Sequence, residues 1–106
     1  MALVGEVGKY IVSHYATVDY AYRAYISLYG TDGTTHLGAA RFFNDPSDIT
    51  SPFVLSGGKV YLHYRAEDFP QVIDLLRNEK PLYLHHWTTV AGFRSSKEPV
   101  GEGEPE

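Results

Sequence analysis

The sequence predicts an α+β domain, a largely antiparallel sheet of about five to six strands with one helix, at about 68–80, packed on one face. Three observations lead there. Runs rich in Tyr, Val, Ile and Phe recur between short glycine-containing turns over most of the chain. One segment alone repeats its apolar residues at helical spacing. With 106 residues, 43% of them hydrophobic, the chain is the size of a single domain and can bury about two-thirds of its open surface in one core. That domain is expected over 1–94, with 95–106, rich in Glu, Pro and Gly, as a disordered acidic tail.

Gly8–Tyr15 and Val18–Tyr29 read as strands, because β-branched and aromatic residues fit a pleated, half-buried surface. Asp32-Gly33 then marks a hairpin, read as a two-residue type I′ turn. That register sets Tyr29 against His36, Leu28 against Leu37, Ile26 against Ala39 and Tyr25 against Ala40. Arg23 then faces Phe42, and Tyr22 faces Phe43. An apolar face (Leu28, Leu37, Ile26, Ala39) separates from a face bearing Tyr25, Tyr29 and His36. Asn44–Ser51 is a loop. A second hairpin turns at Gly57-Gly58 and places Leu55 opposite Val60 and Phe53 opposite Leu62.

In the helix, Phe69, Val72, Ile73 and Leu76 form the apolar stripe and Leu75 widens it. Asp68 is the expected N-cap with Gln71 as its capping-box partner, Pro70 suits the first turn, and Pro81 ends the helix. Leu82–Val90 is the last expected strand, with Tyr83, His85 and Trp87 on one side and Leu82, Leu84 and His86 on the other.

Composition excludes whole classes of chemistry. Without cysteine there is no disulfide scaffold, thiolate metal site or cysteine nucleophile. No phosphate loop, dinucleotide fingerprint or nucleophile elbow is present, so no catalytic residue and no cofactor is assigned. The carboxylate pairs Glu67-Asp68 and Asp45/Asp48 fall where helix starts and turns explain them. Met1–Glu6 does not read as a signal peptide and no apolar run reaches bilayer length, so no membrane partner is expected and the cytoplasm is the expected compartment.

One helix cannot cover a five-stranded sheet. The face opposite it is expected to carry Tyr25, Tyr29, His36, Phe42, Tyr61, His63, Tyr83, His85 and Trp87. A patch of that kind marks an interaction surface. The first reading is a non-enzymatic binding or assembly module that forms a homo-oligomer, a dimer foremost, through this face. A second is stacking of single-stranded nucleic acid on the aromatics, with Arg23 and Arg41 for phosphates, against which stands the net charge of -4. A third is a small-ligand or metal site built from clustered histidines such as His36, His63 and His85, though no ligand spacing supports a metal assignment.

Overall fold

Residues 2–95 are described by the computed structural model, with side chains from residue 4 onward. Eight strands and one helix follow in order: β1 (Ala2–Glu6), β2 (Lys9–His14), β3 (Tyr22–Tyr29), β4 (His36–Phe43), β5 (Phe53–Ser56), β6 (Lys59–Arg65), α1 (Phe69–Asn78), β7 (Leu82–His86) and β8 (Ala91–Ser95). The α+β class with a single helix holds among the described residues. The strands form two sheets, β2-β3-β4-β6-β5 and β1-β7-β8, and every neighbouring pair is antiparallel except β4 with β6.

The two strands beyond the expected count have identifiable causes. Ala2–Glu6 carries small residues that weaken its strand signal, yet it pairs with β7. Leu82–Val90 is not one strand: it breaks at Trp87–Val90, a turn without Gly, Pro, Asn or Asp, and β8 returns along β7. β8 runs to Ser95, and the acidic segment 96–106 lies outside the described residues.

β1 and β2 are one run of chain bent at Val7–Gly8. The Val7 N–H donates to the Leu82 carbonyl (2.8 Å) and the Gly8 N–H to the Tyr29 carbonyl (2.9 Å), so consecutive amides serve different sheets. A β-carbon on Gly8 would lie 2.5 Å from the Thr31 Cα, so the corner closes only around glycine. Between the sheets sits one core, with Ile26, Leu28, Phe42, Val60 and Leu62 from the larger sheet, Leu84 from the smaller and Val72 from α1. Phe69, Ile73 and Leu76 pack on it as the helical spacing implies, while Leu75 stays 38% exposed. The Asp68 carboxylate does not cap α1. It reaches back to the Arg65 N–H (3.3 Å) across a short 3₁₀ turn at Ala66–Asp68.

The β3–β4 hairpin corrects the expected register. Asp32 keeps a negative φ, so the turn is not type I′: the loop spans Thr31–Thr34, closed by Gly30 N–H to the Thr35 carbonyl (2.8 Å). Asp32 accepts from the Thr34 and Thr35 amides (2.9 Å each) and from the Thr35 hydroxyl, which holds its carboxyl down at about 2. Tyr29 still meets His36. Past that pair, Leu37 is an extra residue, and Leu28 pairs with Gly38, Ile26 with Ala40 and Tyr25 with Arg41. A one-residue slip exchanges the faces of β4. Phe42, expected on the open face, is fully buried, stacked on Tyr64 (5.3 Å) and edge-on to Phe69 (5.2 Å). A second irregularity at Arg23 leaves it outside the ladder, and Ala24 takes its place opposite Phe42. The β5–β6 hairpin matches expectation: Gly57 and Gly58 have φ of 58° and 77°, Leu55 faces Val60 and Phe53 faces Leu62.

Gly38 lets β4 and β6 meet. Its φ is +153°, and a β-carbon there would stand 1.8 Å from the Val60 carbonyl oxygen. Gly38→Ala is therefore expected to cost roughly 3–5 kcal/mol in urea unfolding, because the clash is with backbone at the centre of the sheet. Gly57→Ala, with nothing within 4 Å, is expected to cost only about 1–2 kcal/mol from its positive φ. Equal costs at the two sites would refute the close approach.

Candidate functional site

The side of the larger sheet turned away from the core carries a continuous aromatic row. Strand alternation and the bulge at Leu37 bring Tyr25, Tyr29, His36, Tyr61 and His63 to it, as expected, and add Tyr22, Arg41 and Phe43. Tyr22 meets Tyr25 (5.7 Å between centroids) and Phe43 (5.1 Å), and Phe43 meets His63 (5.1 Å). At the other end Tyr29 meets His36 (5.4 Å), and His36 lies 6.3 Å from Tyr61.

Arg41 stands at the centre. Its guanidinium carbon lies 4.3 Å from the Tyr61 ring centroid and 5.9 Å from that of Tyr25, a cation held over two π faces. Nη1 is 3.3 Å from His63 Nε2, and His63 Nδ1 is 3.0 Å from the Ser51 carbonyl. Arginine only donates, so Nε2 is the acceptor and the imidazole proton sits on Nδ1, donating to Ser51. Burial, and then the adjacent Arg41 charge, lower the His63 pKa from its ordinary value, consistent with this neutral tautomer. Arg41 Nε is buried without a hydrogen-bond partner, and among the described residues no carboxylate pairs with this guanidinium. Beyond His63 an open cleft of about 430 Å³ is lined by Ser51, His63, Tyr64, Arg65 and Asp68. In it, burial and then Asp68 raise the Tyr64 hydroxyl to about 12.

The electrostatics of this sheet differ from those of the chain. None of its five strands contains Asp or Glu, whereas they hold Lys9, Arg23, Arg41, Lys59 and Arg65. By alternation Lys9, Lys59 and Arg65 share the open side with Arg41. Arg65 is drawn toward Glu67 (3.8 Å) in an exposed pair. The acidic residues of the described region lie in β1, the loops and the helix.

Four expected site residues are not part of the row. Arg23 lies at its bulge and donates to the Tyr15 carbonyl (3.2 Å). Tyr83 and His85 belong to β7 in the other sheet, opposite in alternation to the buried Leu82 and Leu84, so they point away from the common core. Trp87 is 53% exposed in the turn after β7. The sequence reading placed β7 in the wrong sheet because nothing local announces the corner at Gly8. Arg41, named from the sequence as a phosphate contact, and Phe43 were not placed on this side because the signal for the bulge is the backbone approach at Gly38. Among the described residues, no three His, Asp or Glu side chains converge as a metal would need, and no helix is long and apolar enough to cross a membrane.

Because the folded pKa of His63 lies below its ordinary value, its neutral form contributes stability that is full above about pH 6.5 and is lost as pH falls from there through the lowered folded value. Urea midpoints at pH 7.5 and 5.0 should therefore fall further for the wild type than for His63→Gln, which cannot titrate. Identical pH slopes would show that His63 does not stay neutral in the fold. No known protein family matches the chain, and neither curated proteins nor solved structures provide a match.

Proposed function

We propose that this protein binds single-stranded nucleic acid on the open face of its larger sheet, with unpaired bases stacking along the Tyr25–Arg41–Tyr61 row. One observation carries the reading: an aromatic row centred on an arginine that has no carboxylate partner among the described residues, on strands free of acidic residues. Stacking needs flat π surfaces and guanidinium planes, and the sugar–phosphate backbone needs cations flanking them. Lys9 on β2 and Lys59 on β6 supply cations on either side of Tyr29 and His36, at one end of the strands. The net charge of -4, the main objection at the level of sequence, arises from residues outside this sheet.

Self-association through the same face is less well supported. A two-fold axis through the centre of the patch would bring the two Arg41 guanidiniums toward one another and stack two cationic faces. Among the described residues, no convergence of three His, Asp or Glu side chains favours the ligand or metal reading. The proposed role is that of a non-enzymatic binding module, with the cytoplasm as its expected setting.

Fluorescence anisotropy with labelled single-stranded DNA and RNA of mixed sequence, at low and physiological salt, tests this. Tyr61→Ala is expected to weaken binding roughly 5- to 100-fold, the value of one stacked base. Arg41→Lys, which keeps the charge but loses the plane, should fall between wild type and Arg41→Ala. Tyr83→Ala, on the other sheet, should bind as wild type. Failure of the wild type to bind at low salt, or equal affinity for duplex DNA, would overturn the proposal.

A further inference from the structure

The edges of the larger sheet are not equally guarded. β5 is four residues long and follows Pro52, two features that discourage a further strand. β2 has neither. It pairs with β3 over six consecutive positions without a bulge, and it leaves Ile11 57% and Val12 41% exposed. Its Lys9 stands at the first position, away from the centre. A long, regular, apolar edge of this kind is a template for another strand.

Which backbone groups face outward can be worked out. The Tyr15 N–H donates to the Arg23 carbonyl (2.8 Å) one step beyond the His14↔Ala24 pair. Alternation along an antiparallel ladder then assigns Lys9, Ile11 and Ser13 to β3, and turns the N–H and C=O groups of Tyr10, Val12 and His14 to the free edge. We infer that this edge pairs with β2 of a second copy, antiparallel about a two-fold axis normal to the sheet at Val12. Val12 then exchanges both hydrogen bonds with its own copy, Tyr10 faces His14, and Ile11 faces Ser13. No like charges meet, since Lys9 falls opposite the position of Tyr15. The pairing covers both exposed apolar side chains, which the stacking of two cationic open faces would not do.

The two open faces lie on the same side of the resulting ten-stranded sheet, so two aromatic rows join end to end. The pairing itself does not depend on what those rows bind. A six-residue strand is small beside the standard interface of about 800 Å² per partner, so the dimer is reversible and governed by concentration.

Sedimentation equilibrium without nucleic acid, from low-micromolar to near-millimolar protein, reads this directly. The wild type should rise from 11.9 kDa toward twice that mass. Val12→Pro removes an outward N–H while sparing the bonds to β3, and Ile11→Lys places a charge on an exposed edge position at little cost in folding. Both variants, shown to be folded by circular dichroism, should remain monomeric, while Tyr61→Ala should dimerise like the wild type. A wild type that stays monomeric at the highest concentration overturns the inference. So does a dimer that survives Ile11→Lys or is lost with Tyr61→Ala.

Discussion

The contact between β4 and β6 at Gly38 sets the faces of the larger sheet. A parallel neighbour can approach there only because residue 38 has no side chain where the Val60 carbonyl stands. The extra residue beside it, Leu37, is turned into the core near Gly5. Together they shift β4 by one position against β3, and in a structure of period two such a shift decides everything that β4 presents. Phe42 and Ala40 go inward to join Leu62 and Val72. Arg41 and Phe43 go outward among the tyrosines. The core and the cationic row are thus two consequences of one backbone irregularity.

The charge distribution follows from how the acidic residues are employed. Asp32 and Asp45 serve turns, accepting backbone N–H groups; the Thr35 hydroxyl and then the Thr35 and Thr34 amides hold the Asp32 carboxyl low, and the Ser47 amide holds that of Asp45 low. Others sit in and around the helix. The strands of the larger sheet, built for β propensity, kept cations alone. At physiological salt, exposed charges are screened beyond about 8 Å, so a partner meets the local field of this face rather than the net charge of the chain. Arg41 is held within that field by two tyrosine rings and a neutral imidazole, contacts that position the guanidinium without cancelling its charge.

The corner at Val7–Gly8 has a comparable reach. By sending adjacent amides to different sheets it folds the N-terminal strand over the core, and β7 and β8 follow it there. The second sheet and α1 therefore cover the same side of the larger sheet, and among the described residues no element covers its other side. Had β7 extended the larger sheet, Tyr83 and His85 would have reached the side that bears the row, and the core above Phe42 and Leu62 would have been left open.

What the sequence determined by itself is local. The helix stripe of Phe69, Val72, Ile73 and Leu76, the Gly57-Gly58 hairpin with its register, and the meeting of Tyr29 with His36 all depend on neighbours a few residues apart, where spacing and turn chemistry suffice. So does the alternation that sets Tyr25 with Tyr29, and Tyr61 with His63, on one side of their own strands. What only the tertiary structure decided involves partners far apart in the chain: the parallel pairing of β4 with β6, the bulge that this approach accommodates, and the assignment of β7 to a second sheet. Arg41 belongs to the second group. Its place in the sequence is compatible with either face, and only a glycine pressed against the carbonyl of residue 60 turns it outward.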